Sequence, residues 1–396
     1  MIPYSRHVVN LRDAISVARQ IRFGSLTQGK TIDEFENKVA TYVGSKYAVA
    51  VSSATAGLHI ALLSLNLKPG DKVVTSPMSF LASSNAILYA GLTPIFIDID
   101  PETKNLNTVK LREAILADDK IRAVIPVHYA GLPCDMEEIN LICTDKNIKI
   151  IEDAAHALGG SYKNGLFVGS NNYSDLTVFS FHPVKSVTTG EGGIVTTNSL
   201  DLYKKLCQFR SHGLEKIPLD FINPVLAFTK EEINPWYREM TVLGYHYRLT
   251  EIQARLGVSQ MRKLGKFMRR RLNAAKYYDK LITSDMHFAP AQKLEKSNSG
   301  NHLYPIEIDF EKVNISRAEL MKQLRKVGIG TQVHYMPINM NPYYEQLGYD
   351  PYLTPHAMNY YFSALSIPIY PGIKKRQQKK IISMINNILN NSKVVL

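Results

Sequence analysis

The 396-residue chain holds only three cysteines, Cys134, Cys143 and Cys207, and none are paired at C-x-x-C or C-x-x-x-x-C spacing. A disulfide framework or a zinc site needs such pairs, so neither is indicated, and a reducing cytoplasm is the expected home. Apolar runs of the ~20 residues that a membrane span requires are missing too. The opening MIPYSRHVVNLRD lacks the apolar core of a secretory leader, and no repeat or low-complexity tract is present. A soluble globular protein is expected. Acid is also in short supply: 35 Asp and Glu face 47 Lys and Arg, a formal net charge of +12.

That excess raises the question of nucleic acid. The densest basic groups are Arg269, Arg270 and Arg271, and a second cluster from Lys374 to Lys380; neither carries interleaved aromatics or a recognition-helix motif. They read as solvated helix faces. A basic balance also suits an anionic small substrate such as a nucleotide diphosphate.

What is present is regular. Short apolar runs at 47–51, 72–75, 94–98, 122–127, 148–152 and 176–181 are apolar on both alternating faces, as strands covered on both sides are. Helix-period stretches lie between them, such as TAGLHIALLSLN and DMEEINLICTDK. The alternation predicts an α/β fold with a mostly parallel, doubly wound sheet. From about residue 250 long helical stretches and a mixed region follow, predicting a large domain over 1–250 and a smaller α+β domain over 251–396.

Ligands of such sheets bind beyond the carboxyl ends of the strands. After YAVAV, the small residues of SSATAGLHIAL open a helix, and the backbone amides of Ala54 and Thr55 could bind a phosphate there or simply sit behind an N-cap. After IKIIE comes Asp153, a carboxylate costly to bury without a partner, with His156 one helical turn on. After LTVFSF come Ser180 and Lys185, then the glycines of TTGEGG. A phosphate cradle, a buried acid and an amine together fit pyridoxal 5'-phosphate. Lys185 would form the Schiff base and move protons, while Asp153 would keep the ring nitrogen protonated.

The ordered stretches LTQGKTIDEFE, VSSATAGLHIALL, TSPMSFLASSNAILYAG, IEDAAHALGG, FSFHPVKSVTTGEGG, GYHYRLTEIQARLG and QVHYMPI resemble the DegT/DnrJ/StrS sugar-nucleotide aminotransferases across nearly the whole chain. The resemblance implies a fold-type I, aspartate aminotransferase-like architecture and a homodimer with shared sites. It implies that Phe80 stacks on the cofactor ring, His156 lies near its phenolic oxygen, and Ser180 joins Ala54 and Thr55 at the phosphate. Where the family usually has an asparagine that reaches the neighbouring subunit's phosphate, this chain has His246, which can also donate to phosphate. Retention of Lys185 separates it from relatives in which histidine replaces the lysine and the chemistry becomes dehydration.

Within the family, IPYSRH, FGSLTQGK and FHPVKSVTTGEGG are similar to transaminases of pseudaminic acid biosynthesis. That implies transfer from L-glutamate to a UDP-linked 4-keto-6-deoxy amino sugar, with Tyr4, Gly24, Ser25, Leu26, Thr27, His334 and Tyr335 at the sugar nucleotide. Another nucleotide sugar is the alternative, and a cofactor-binding DNA regulator a third reading. Asp98 and Asp100 suggest a metal pair but suit a turn before Pro101 better. His128 lacks a second ligand at metal spacing and is assigned to loop shaping, and no metal site is expected. Trp236 and Tyr237 suit an interface.

Overall fold

Alternate residues of each early strand feed two different cores, which is why those strands read as apolar throughout. Ala48 and Ala50 join one cluster, while Val49 and Val51 join another across the sheet. In the computed structural model, which describes residues 1–215, 220–292 and 298–392, two helices come first, α1 (Leu11–Phe23) and α2 (Lys30–Val43). Strands and helices then alternate through β1 (Tyr47–Val51), α3 (Ala54–Ser64), β2 (Lys72–Thr75), α4 (Ala82–Tyr89), β3 (Thr93–Phe96) and α5 (Thr108–Ala117). They continue through β4 (Ile121–Ile125), α6 (Met136–Thr144), β5 (Lys149–Asp153), β6 (Leu176–Ser180), β7 (Gly193–Thr197) and α7 (Leu200–Arg210).

The seven strands lie in the order β1-β7-β6-β5-β4-β2-β3. Six agree with the sequence reading to within two residues. The seventh, β7, was not anticipated: it runs antiparallel to both β1 and β6, and its GIVTT starts on the second residue of the glycine pair Gly192–Gly193, which disguises where it starts.

Beyond the sheet, β8 (Leu214–Glu215) leads into an arm with α8 (Pro224–Ala227), β9 (Phe228–Thr229) and β10 (Glu232–Ile233), closed by β11 (Glu239–Met240) against β8. The long helical stretch divides into α9 (Glu251–Met261) and α10 (Leu264–Leu281). A second sheet is made by β12 (Phe288–Pro290), β13 (Tyr304–Ile308) and, after α11 (Arg317–Lys326), α12 (Pro342–Gln346) and α13 (Pro355–Ser363), β14 (Ala364–Ile367). The chain closes with α14 (Lys375–Asn391). The apolar residues of α9 join the core under the large sheet, whereas Ala274, Ala275 and Tyr278 of α10 join a separate core with α11 and α14. Ile2 enters that second core, and its backbone bonds to Gly328 and Gly330.

Two buried acids organise this frame. Gly29, the N-cap of α2, has no side chain to offer, and Glu251 caps the helix from outside: its carboxylate accepts from Gly29 (2.8 Å), Thr31 (2.8 Å) and Ile32 (3.3 Å) amides. Glu152 sits fully buried on β5 and accepts from Ser174 Oγ (2.5 Å), Tyr162 Oη (2.7 Å), His128 Nε2 (2.8 Å) and Thr177 Oγ1 (2.9 Å). The Cys134 amide donates into His128 Nδ1 at 3.0 Å, which assigns this imidazole as neutral with its proton on Nε2. Burial penalises the Glu152 charge, yet its four donors outweigh that and hold its pKa below the usual value. His128 thus shapes the loop, as its sequence context suggested. Asp98 is a cap as well, accepting from the His356 and Ala357 amides at the start of α13, and no metal cluster occurs among the described residues.

The expected result of Glu152→Gln is a loss of about 3 kcal/mol of stability, since an amide nitrogen replaces one acceptor oxygen among donors. Urea unfolding followed by circular dichroism measures it; an unchanged midpoint would contradict the role given to this carboxylate. Because its folded pKa is lowered, Glu152 stabilises the native state above the unfolded carboxyl value and loses that contribution as pH falls toward the folded one.

Candidate active site

The reversed strand explains the glycines of TTGEGG. Running antiparallel, β7 brings its first residue, Gly193, to the edge where β1 and β6 end, opposite Val51 and Ser180. A Cβ on Gly193 would come within 2.6 Å of Ala54 N and Ser53 C, so only glycine lets α3 start directly over the sheet. Ser53 caps α3 through its Oγ, which accepts from Ala56 N at 3.1 Å. Among the described residues no acceptor takes the Ala54 and Thr55 amides, which remain a positive, donor-rich helix start beside Ser180.

Asp153 ends β5 on the same edge. Its Oδ2 accepts from Ser83 Oγ at 2.6 Å and its Oδ1 from Ala155 N at 3.1 Å; Ser83 in turn meets Ser79 Oγ at 2.6 Å. Because side chains alternate along a strand, Asp153 faces the cleft while Glu152 faces away. The turn after β5 carries His156, whose Nε2 lies 3.1 Å from Tyr335 Oη. Its Nδ1 is buried without a partner. Burial and then the Lys185 charge push the His156 pKa well below normal, so the ring is neutral. The same causes bring His334 down to about 3, with its Nδ1 2.9 Å from Ser366 Oγ.

Lys185 follows the end of β6 and lines the same cleft of about 520 Å³. Burial lowers its pKa to about 8, while the Asp153 charge opposes that shift. A buried amine that readily loses its proton is a nucleophile and a base. Phe80 lies on the cleft wall yet is 60% exposed, leaving an aromatic face open to a flat ligand. Pyridoxal phosphate fits this donor set: free helix amides and Ser180 for its phosphate, Asp153 for its ring nitrogen, Phe80 for its face, Lys185 for its aldehyde.

Tyr4, His334 and Tyr335 also line the cleft. Tyr4 is delivered there because its carbonyl accepts from Ile369 N at 3.1 Å and Ile2 pairs with Ile329. Gly24, Ser25, Leu26 and Thr27 are not brought to this cleft. They form an exposed loop after α1, with the Leu26 carbonyl bonded to Glu251 N at 3.0 Å. His246 is away from it too, at the root of the arm, its ring 5.3 Å from His212. Two lining or supporting residues were missed in the sequence. Ser83 looked like one serine of a helix start, and His302, whose ring centre is 4.4 Å from that of His156, lies 146 residues beyond it in a loop without periodicity.

A model described as the DegT/DnrJ/EryC1/StrS aminotransferase family matches residues 12–386. The chain belongs to that family. It is a sugar aminotransferase of fold type I, and the sequence resemblance to the family is borne out. Over 99% of both chains it is 35% identical to the UDP-4-amino-4,6-dideoxy-N-acetyl-beta-L-altrosamine transaminase of Campylobacter jejuni serotype O:23/36. With the Bacillus subtilis spore coat polysaccharide biosynthesis protein SpsC it shares 34%, over 99% of this chain and 98% of the relative. Among solved structures, Helicobacter pylori PseC, an aminotransferase of pseudoaminic acid biosynthesis, superposes with a TM-score of 0.88 at 31% identity, covering 98% of this chain and 99% of PseC. Spr1654 of Streptococcus pneumoniae, described as a sugar aminotransferase, gives 0.88 at 26% in its PLP form, covering 99% of this chain and 100% of Spr1654. No helix among the described residues is long and apolar enough to cross a membrane.

A lysine with a pKa near 8 makes a testable statement about this aminotransferase. Its neutral fraction grows as pH rises through about 8, so capture of pyridoxal phosphate by the apoenzyme is expected to accelerate with that midpoint in stopped-flow absorbance. A midpoint near the free lysine value, or equal capture by Lys185→Ala, would refute it.

Proposed function

We propose that this enzyme transfers the amino group of L-glutamate to C4 of UDP-2-acetamido-2,6-dideoxy-β-L-arabino-hex-4-ulose, a step of pseudaminic acid biosynthesis. The observation that carries the reading is the 35% identity, end to end, to a transaminase whose name specifies that amino sugar. The similarity to a spore coat polysaccharide protein favours a second reading, amination of another nucleotide-linked 4-keto-6-deoxy sugar by the same chemistry.

The cofactor is pyridoxal phosphate. When bound, it supplies an aldehyde that carries the amino group and a ring that accepts the electrons released at a carbon losing its proton. The protein residues do the rest. Asp153, fixed by Ser83 and the Ala155 amide, would hold the proton on the ring nitrogen. Lys185 Nζ takes the α-proton of glutamate and later delivers a proton to sugar C4. Its lowered pKa suits both directions near neutrality. The amides of Ala54 and Thr55, with Ser180 Oγ, would hold the phosphate, and neutral His156, held by Tyr335 Oη at 3.1 Å, would lie near the phenolic oxygen. Tyr4 and His334 stand where the sugar would enter.

We further propose a homodimer in which His246 and the loop of Gly24, Ser25, Leu26 and Thr27 serve the neighbouring site, since neither lines the cleft of its own chain. We also propose two domains, 1–250 and 251–396, although α9 (Glu251–Met261), which follows that boundary, packs on the core of the first. The cytoplasm, where nucleotide sugars are made, is the proposed location.

Purified enzyme with pyridoxal phosphate and L-glutamate is offered the L-arabino and D-xylo UDP-4-keto-6-deoxy-N-acetylhexosamines separately, and products are followed by mass spectrometry and NMR. Selective amination of the L-arabino ketone is expected; preference for the D-xylo epimer would leave the second reading standing. Asp153→Asn is expected to slow the glutamate half-reaction by about a hundredfold or more while the cofactor stays bound. A full-rate variant would remove Asp153 from the mechanism.

A further inference from the structure

An amino-acid donor and a sugar ketone must use one cleft in turn, and they differ in charge: the donor brings a carboxylate on the reacting carbon, and the ketone carbon of the sugar carries none. Among the described residues that line the cleft, Lys185 is the sole lysine or arginine, and its amine is committed to the cofactor and to proton transfer. A carboxylate buried there without a partner would be costly. The lining also holds His156, His182, His302 and His334, and three of these are engaged. His156 Nε2 meets Tyr335 Oη at 3.1 Å, His334 Nδ1 meets Ser366 Oγ at 2.9 Å, and His182 Nδ1 accepts from the Val184 amide at 3.4 Å. His302 is different. It is 3% exposed, its Nδ1 is buried without a partner, and neither ring nitrogen has a hydrogen bond among the described residues. A buried polar group left this way costs stability unless a ligand completes it.

The segment that carries His302 is held firmly. The His302 amide donates to Ala130 O at 2.9 Å and the Gly300 amide to Gly131 O at 2.7 Å. A Cβ on Gly300 would come 2.7 Å from His156 O, so glycine lets this segment lie directly on the turn that carries His156. Behind it stands Arg271 of α10, 1% exposed, whose Nη1 donates to the carbonyls of Asn301 (3.2 Å), His302 (3.2 Å) and Ile369 (3.4 Å). No acid pairs with Arg271 among the described residues, and its Nε is unpartnered. Burial lowers its pKa to about 10, which still leaves a cation at neutral pH. A buried guanidinium without a carboxylate is an unbalanced positive charge. An imidazole with free nitrogens thus forms the cleft wall, and an uncompensated cation backs it.

We propose that His302, backed by Arg271, is the site for a carboxylate of the amino donor: an imidazole N–H donates to the carboxylate, and the acid-free guanidinium offsets its charge. This rests on, and deepens, the reading of the enzyme as a transaminase fed by L-glutamate. A sugar ketone has no such group at its reacting carbon, so His302 serves the first substrate more than the second. One cleft then accepts two unlike molecules without a charge left facing the sugar, because the His302 ring is neutral, chiefly through burial.

The test uses the holoenzyme and glutarate, a dicarboxylate that lacks the amino group and cannot react, with affinity read by isothermal titration calorimetry. His302→Phe keeps a ring against His156 and removes both nitrogens. It is expected to weaken glutarate binding about tenfold or more and to raise the KM for glutamate by a similar factor, with a clearly smaller rise in the KM for the sugar ketone. His302→Gln, which restores an N–H donor, is expected to recover part of the loss, which a purely structural role would not do. Circular dichroism checks folding, and the absorbance of the bound cofactor checks its seating. Unchanged glutarate affinity in His302→Phe would overturn the proposal, as would equal losses for donor and ketone, or a wild-type enzyme that does not bind glutarate. Altered cofactor absorbance with glutarate binding intact would also overturn it, making His302 a support for the cofactor. Glutarate binding needs neither sugar nor turnover, so a wild type that binds glutarate through His302 yet aminates neither epimer would uphold this site while the substrate assignment fails.

Discussion

The site depends on one close approach, that of Gly193 to the start of α3. Parallel strands deliver their carboxyl ends to one edge of a sheet, and their amino ends lie at the other. Reversing β7 alone inserts an amino end among carboxyl ends, between β1 and β6. The space there is so small that a single methyl group would collide with Ala54 N. Because nothing intervenes, the free amides of α3 face Ser180 across the glycine rather than being lifted away by a side chain. The donor-rich helix start is thus a by-product of strand direction, and the same reversal closes the chain segment that carries Lys185 back onto the sheet.

Adjacent carboxylates on β5 show how the fold separates structure from chemistry. Glu152 and Asp153 are neighbours in sequence but opposites in environment, since strand side chains alternate faces. Four hydroxyl or imidazole donors saturate Glu152, and it has no acceptor capacity to spare. Asp153 keeps fewer protein donors and opens to the cleft. Around it, burial keeps His156, His334 and His302 neutral. Asp153 acts on Lys185 in this cleft: its carboxylate favours the ammonium form, desolvation disfavours it, and desolvation is the larger effect.

Much of this was legible beforehand because period-2 and helical patterns survive when both faces of a sheet are covered. Six strands were found that way. The seventh was hidden because its start is glycine and its orientation is a long-range property that no local pattern records. Lys185 and Asp153 could be found because each ends or closely follows a recognisable strand, whereas Phe80 entered only through the family resemblance. Ser83 and His302 could not, since a serine in a helix and a histidine in a loop gain meaning only from what folds against them. The LTQGK and GYHYRLTE motifs show a different limit. Glu251 of one caps the helix begun by the other, so part of what makes these stretches recognisable is a clamp inside the fold rather than contact with substrate.

The two ends of the cleft are built by different parts of the chain. Ala54, Thr55, Asp153, Ser180 and Lys185 stand on or just after the strands of the large sheet, where neighbouring hydrogen bonds leave little freedom. Tyr4, His334 and Tyr335 come from the N-terminal segment and from the loop that precedes α12, both tied to the second core through Ile2, Ile329 and Ser366. The two supports meet at several points among the described residues: His156 Nε2 lies 3.1 Å from Tyr335 Oη, Ser5 Oγ donates to the Val184 carbonyl at 3.2 Å, and the rings of Phe80 and Tyr335 lie 6.3 Å apart.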